Sequence, residues 1–392
     1  MERNNPDLAH QTASAVTTPA RQGMKIVVLT SHVFLEGFRK ASIHFVARNW
    51  AAAGHEVFFT TVGHSRFSRF KKRDRLEALR RDQDNRYQTI EPGLHAGAYL
   101  PPIHAFSTSS AFANRIIEPF FALYARHLPP FVSDRIGEAD LVVIESGTPV
   151  VFLPLIRRLN PKAKLLYFCR DLLHSVGAAP YVRDAETSAI GVFDSVCVPS
   201  RRLGEMLPAG GKIHFVPQGI EGGVFDRAEA SPYAPGSRNA VAVGDMLFDQ
   251  HVVDELAAAA PEVTFHLFGI KWRGDAPANV NVHGEQSFET LAAYIRHADI
   301  GLAPYKVTAS DVYLAESSLK LLQYGYCLLP VVLPDIIPVS RGNEVTYTLD
   351  GANDWRAIMD QALAWPHQRS YRFGILTWED VARRTLATVF PD

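Results

Sequence analysis

The chain has 392 residues, 47% hydrophobic and 21% charged, a composition that can bury a core and excludes wholesale disorder. Its formal net charge of −1 provides no whole-protein basic field of the kind that drives nucleic-acid binding. At roughly 100–200 residues per domain, the length suggests two or three domains. The charge is unevenly spread. Residues 1–200 hold 24 Lys+Arg against 18 Asp+Glu, and residues 201–392 hold 16 against 23, as expected of two domains with different partners. The cysteines Cys169, Cys197 and Cys327 are odd in number and widely spaced, which argues against a disulfide scaffold or zinc ribbon and for a reducing compartment. No apolar run reaches the ~18 residues of a spanning helix.

Residues 1–23 are polar and Ala/Thr-rich, without a signal-type apolar core, and read as a disordered extension. Met24–Thr30 (MKIVVLT) reads as a buried first strand, and Arg39–Ala53 as an amphipathic helix with Gly54 at its stop. Val57–Thr61, Leu141–Glu145, Lys164–Phe168 and Ser195–Val198 are further strands, separated by helical or irregular stretches. Such βαβα order implies a mostly parallel sheet covered on both faces. Ile213–Pro217 then leads into a link containing Gly219, Gly222 and Gly223, and the pattern restarts. Strands are expected at Ala240–Val243, Val263–Phe268, Val280–His283, Ile300–Ala303 and Leu328–Leu333. Helices are expected at Val252–Ala259, Phe288–His297, Ser317–Tyr324 and Asn353–Ala364. The fold class is α/β, with two doubly wound domains joined near 210–225.

Ser65–Arg86 departs from this pattern, being strongly basic with Phe67 and Phe70 interleaved. It reads either as a solvated helix or loop, or as a patch facing lipid headgroups or a lipid diphosphate. Several motifs are absent. The turn after the first strand (SHVFLEGFRK) lacks GxGxxG, Gly211–Lys212 lacks the spacing of a P-loop, and Ser146 in IESGT lacks the first glycine of a nucleophile elbow. Asp82–Gln83–Asp84 resembles a metal-binding DxD but lies in a basic run, and no histidine pair has HExxH spacing.

A coherent set of candidates lies in the second half. Gly301–Tyr305 (GLAPY) ends a strand, and Glu316–Tyr324 (ESSLKLLQY) opens a helix soon after. Ser317 and Ser318 suit its cap and first turn, where unpaired N–H groups favour a diphosphate, and Lys320 adds a full charge. In isolation the same residues describe an ordinary Ser-capped helix. GDMLFD (Gly244–Asp249) and HGEQ (His283–Gln286) also follow strands, where ligands bind in open α/β sheets. In the first half, Asp171 ends the strand Lys164–Phe168, placed equally well for a general base or a helix cap.

On these residues the sequence resembles the GumK-type glucuronosyltransferases of xanthan assembly, glycosyltransferase family 70. The resemblance rests on VAVGDMLFD, VTFHLFG, HGE, GLAPY and YLAESSLKLLQY, and in the first half on SHVFLEGFRKASIHF, LVVIESG and KLLYFCRD. It implies the GT-B architecture, two Rossmann-like domains facing across a cleft. These domains would span 24–210 (acceptor) and 211–372 (nucleotide sugar), with a helix in 373–392 returning to the first. It also implies inverting transfer of glucuronate from UDP-glucuronate to a mannose on a polyprenyl-diphosphate-linked oligosaccharide, without a metal or other cofactor. The enzyme would sit peripherally on the anionic cytoplasmic face of the inner membrane. Another nucleotide sugar, such as UDP-glucose or GDP-mannose, and an inactive binding protein are the alternatives.

Carried across by position, the family's catalytic aspartate falls on Asp171, followed here by Leu172 in place of glycine, and its phosphate-binding lysine falls on Lys320. Ser317, Ser318 and Leu319 would face the diphosphate through their backbone. Met246, Asp249, Glu285, Gln286, Tyr305 and Gln323 match donor-site positions, as does Glu221, which replaces an aspartate. Arg39 and Lys40 are the candidates for the sugar carboxylate.

Overall fold

The computed structural model describes residues 23–35, 38, 40–66, 73–106, 110–208, 212–308, 314–339, 341–349 and 351–391. Residues 1–22 of the expected extension over 1–23, with Arg39, Phe67 and Phe70, lie outside these residues.

Among the described residues, β1 (Lys25–Thr30), β2 (Glu56–Thr61), β3 (Tyr87–Glu91), β4 (Leu94–Ala98), β5 (Leu141–Glu145), β6 (Lys164–Phe168), β7 (Ser195–Val198) and β8 (Ile213–Phe215) form one sheet. Its order is β3-β4-β2-β1-β5-β6-β7-β8, parallel except for the β3–β4 pair. After the short β9 (Gly219–Ile220), a second sheet contains β10 (Arg238–Val243), β11 (Val263–Phe268), β12 (Val280–Gly284), β13 (Ile300–Leu302), β14 (Val331–Pro334) and β15 (Glu344–Tyr347). It runs β12-β11-β10-β13-β14-β15 and is parallel throughout.

The strands are apolar runs because both faces of each sheet are covered. Alternation along β1 divides its side chains between two cores. Val27 and Leu29 enter one apolar cluster and Ile26 and Val28 the other. The expected strand Leu328–Leu333 shrinks to Val331–Pro334 because Leu328 turns through the left-handed region (φ 65°) after the preceding helix. The expected domain boundary at 210/211 falls too early, since β8 pairs with β7 and completes the first sheet.

The chain's end closes the molecule. β16 (Leu376–Thr377) pairs with β9, and helix Trp378–Ala387 lies on helix Ser42–Ala52 of the first domain. Trp378 stacks on Phe45 with ring centroids 5.1 Å apart, and Trp50 Nε1 donates to the Ala382 carbonyl at 3.0 Å. Gly219 is required there, because a Cβ would stand 2.9 Å from the Thr377 backbone. Ser42 Oγ donates to Gln218, in the connection between β8 and β9, at 2.8 Å, and the Arg201 N–H of the first domain donates to the Glu316 carboxylate of the second at 2.7 Å.

Candidate active site

In each sheet the strand order reverses once, β1 lying between β2 and β5, and β10 between β11 and β13. The loops leaving the two strands at such a point turn to opposite faces and open a crevice at the C-terminal edge. Both crevices carry candidate residues.

At the first crevice a cavity of about 250 Å³ is lined by Ser31 after β1, Ser146, Gly147 and Thr148 after β5, Asp171 after β6, and apolar residues including Phe106 and Leu173. Asp171 is half-buried, so its carboxylate combines partial desolvation with access. Behind it lies Glu145, the last residue of β5, wholly buried, accepting from Thr30 Oγ1 with His32 Nε2 at 3.7 Å. Burial pushes the Glu145 carboxyl above its ordinary range, partly countered by His32, Thr30 and Arg170. Ser146 Oγ accepts from the Arg170 N–H at 3.1 Å and fixes the turn that presents Asp171. Ser31, Glu145, Ser146 and Arg170 were not among the expected site residues. Their shared signal is position, each within two residues of a strand's C-terminal end.

At the second crevice, Gly244 (φ 82°) lets the chain turn sharply after β10. Leu247 holds φ 55°, a conformation costing an L-residue about 1–2 kcal/mol. Neighbouring bonds hold it there. Lys306 N–H donates to Leu247 O at 2.7 Å, Asp249 N–H donates to Pro304 O at 2.7 Å, and Phe248 bridges to Tyr305. The GDMLFD and GLAPY loops therefore form one unit. Met246 projects from it, 60% exposed. Asp249 has a structural task as well: its carboxylate caps helix Gln250–Ala259 through His251 N–H, with Lys306 Nζ at 3.6 Å.

Tyr305 ties this unit to the lysine-bearing helix. Its ring is 1% exposed, and its hydroxyl is 2.7 Å from Ser318 Oγ. The single helix expected from Ser317 is in fact two, Leu314–Ser317 and Leu319–Tyr326, broken at Ser318. Ser318 occupies the N-cap position but makes no side-chain cap bond, its hydroxyl instead meeting Tyr305. The first N–H groups of helix Leu319–Tyr326 are therefore not capped by this serine. Lys320 in the first turn holds its ammonium 4.7 Å from the Tyr305 ring centroid. Gln323 lies one turn further along, half-buried.

The remaining candidates are more dispersed. Glu285 and Gln286 are exposed just past β12, the outermost strand on that side of the sheet. Gln286 Nε2 donates to the His283 carbonyl at 3.0 Å. Glu221 stands at the N-cap of helix Gly222–Arg227, beside the link between domains. Lys40 is exposed. Asp82–Gln83–Asp84 does not form a ligand set. Asp82 pairs with Arg81, and Gln83 is buried and donates to the Phe34 carbonyl. Among the described residues no group of three or more His, Cys, Asp or Glu is placed to hold a metal.

Residues 28–199 match the N-terminal-domain profile of the glucuronosyltransferase GumK. The chain is also 34% identical over 365 residues to the UDP-glucuronate:glycolipid 2-beta-glucuronosyltransferase of Xanthomonas campestris pv. campestris, covering 92% of this chain and 88% of that protein. The chain belongs to the GumK family of glucuronosyltransferases. Solved structures extend the likeness in fold. Anabaena HepE, in complex with UDP and glucose, superposes with a TM-score of 0.62 at 12% identity, over 94% of this chain and 100% of that one. A UDP-forming trehalose-phosphate synthase from Burkholderia xenovorans also reaches 0.62, at 10% identity, over 94% and 99%. The GumK-family chain is thus a GT-B glycosyltransferase with two Rossmann-like domains.

The Tyr305–Ser318 link is testable in the free protein. Tyr305→Phe leaves the buried Ser318 hydroxyl without this partner and is expected to lower unfolding free energy by about 1–3 kcal/mol, read from the denaturant midpoint. An unchanged midpoint would show that the link contributes nothing.

Proposed function

We propose that the enzyme transfers glucuronate from UDP-glucuronate, with inversion, to a mannose of a polyprenyl-diphosphate-linked oligosaccharide during exopolysaccharide synthesis. The reading is carried by Asp171, a half-buried carboxylate lining the cavity at the first sheet's switch point. The Xanthomonas relative, named for UDP-glucuronate and a glycolipid, supports the substrates.

The donor occupies the second crevice. Its diphosphate meets the start of helix Leu319–Tyr326 and the Lys320 ammonium, while Met246, Glu285, Gln286 and the loops around Tyr305 surround the nucleoside. Asp171 accepts the proton of the acceptor hydroxyl as that oxygen attacks the anomeric carbon from the face opposite UDP. The new C–O bond forms as the bond to UDP breaks, and the bonding pair leaves with the diphosphate. The charge that develops there is met by Lys320 and the helix start, groups already in place before reaction, so no metal or cofactor is required. One inversion needs one base, and no covalent sugar–enzyme intermediate forms.

The acceptor's lipid explains a second feature. Helix Ala111–Ala125 follows closely after Ala105 and Phe106, which line the cavity. One face of it buries Phe121 and Tyr124, whereas Phe112, Ile116, Phe120 and Leu123 form a stripe on the other, each more than half exposed. No helix among the described residues is long and apolar enough to cross a membrane. The stripe, flanked by the exposed Arg115 and Arg126, is suited to lie in a lipid surface. We assign the protein to peripheral attachment at the cytoplasmic face of the inner membrane. Arg80, Arg81 and Arg86 of the basic segment are exposed and add attraction to anionic headgroups.

Two variants separate binding from chemistry. Asp171→Asn is expected to keep UDP affinity by calorimetry and lose transfer by 10²-fold or more. Lys320→Ala is expected to weaken UDP binding about tenfold or more. Retained transfer in the first, or unchanged affinity in the second, would remove that residue from its role. For the surface, sedimentation with anionic vesicles should weaken on adding salt and fall further in Phe112→Ser/Leu123→Ser. Binding indifferent to both changes would rule out this mode of attachment.

A further inference from the structure

The backbone of Arg170 helps to fix the turn before Asp171, but its guanidinium has no bond in the site described so far. The residue is 8% exposed, and its Nε, Nη1 and Nη2 are all buried without a hydrogen-bond partner. A guanidinium carries five N–H donors in one plane, and burying such a group unpaired is among the costliest arrangements a protein can hold. Its contacts are one-sided. The guanidinium carbon lies 3.6 Å from the centroid of the Phe168 ring, so the ring covers one face and leaves the donor edge unmatched. Burial opposes its charge, and the neighbouring Glu145 and Asp171 carboxyls favour it. The net effect pulls Arg170 down to about 10, so it stays charged at neutral pH.

Its location limits what could complete it. Arg170 immediately precedes Asp171. Phe168 belongs to the apolar cluster against which Leu319 packs, and Leu319 opens the helix that carries Lys320. Stacked on Phe168, the guanidinium thus lies against the same apolar cluster that receives the first residue of the lysine-bearing helix. The sugar to be transferred must lie between that helix and Asp171. In a glucuronate ring, only the ring oxygen and C5 separate the anomeric carbon from the carboxylate carbon. A carboxylate offers two coplanar oxygens, matching two parallel N–H groups of a guanidinium better than the point charge of an ammonium.

We propose that Arg170 is the donor-specificity residue, binding the carboxylate of the sugar by a bidentate pair while Asp171 acts on the acceptor beside it. This assignment rests on the UDP-glucuronate reading above and replaces Arg39 and Lys40 as the cation for that group. The buried unmatched charge is then a cost carried by the free enzyme and relieved by the correct donor. A neutral sugar such as glucose leaves it unrelieved, which generates discrimination.

The test measures calorimetric affinities of the full-length protein for UDP, UDP-glucose and UDP-glucuronate, together with thermal midpoints. Arg170→Gln and Arg170→Met are expected to lose at least tenfold in UDP-glucuronate affinity and to keep their affinity for UDP and UDP-glucose. Arg170→Met is further expected to melt no lower than the wild type, because it removes a buried charge without a partner. An equal loss for all three ligands would place Arg170 at the diphosphate or in the framework and overturn the proposal. So would a wild-type preference for UDP-glucuronate that survives in both variants. If the wild type shows no such preference, the donor reading itself fails and the assignment with it, a result distinct from a preference that survives mutation.

Discussion

Parallel pairing is the constraint from which the rest of the molecule follows. A parallel sheet returns every crossover to the same edge, so the loops that follow its strands collect together. In this chain two such edges exist, and each has one reversal of strand order. Ser31, Ser146 and Asp171 are neighbours because β1, β5 and β6 end side by side. Gly244–Asp249 and Ala303–Tyr305 meet because β10 and β13 do. The C-terminal helix and the β9–β16 pair then join the domains.

The site departs from what stability alone would select. Leu247 is held in a left-handed conformation, Glu145 is buried with its carboxyl pushed above the ordinary range, Ser318 makes no side-chain cap bond, and the Arg170 guanidinium is buried without hydrogen bonds. Glu145 and Arg170 lie at or just past strand ends and Ser318 at a helix start, whereas Leu247 lies in the loop after β10 and is held by the loop that carries Tyr305. Such concentration of local cost is expected where a protein must keep groups ready for a ligand. The Tyr305–Ser318 contact shows how this works. It takes a hydroxyl that could cap the helix, joins it to the opposite loop, and leaves Lys320 beside the same ring.

Much of this was legible in the sequence. Leu141–Glu145, Lys164–Phe168, Ser195–Val198 and Val263–Phe268 are strands at the expected residues, because short, largely apolar runs between turn signals have few other fates in an α/β chain. The family resemblance agrees with the membership established above. The β3–β4 hairpin was not legible: Tyr87–Glu91 is a partly exposed edge strand with no apolar run, and only Pro92–Gly93 marks its turn. The break at Ser318 was hidden because Glu316–Tyr324 has uninterrupted helical character, and the cause is a tertiary contact with Tyr305. The apolar stripe of helix Ala111–Ala125 was likewise unreadable, since periodicity cannot say which of two apolar faces is covered. Arg170 could be seen as a residue beside Asp171, but its lack of partners is a property of the fold alone.

The reaction proposed for this cleft is a single direct displacement, with Asp171 on one side of the sugar and the start of the lysine-bearing helix on the other. The anomeric configuration of the product tests it most directly. Transfer from the α-linked UDP-glucuronate to a mannose-terminated lipid diphosphate acceptor, followed by proton NMR of the new anomeric centre, should give the large coupling of a β-glucuronide. An α-linked product would mean attack from the face of the departing UDP or a second displacement, and the arrangement of Asp171 opposite Lys320 proposed for this cleft could not then be the catalytic one.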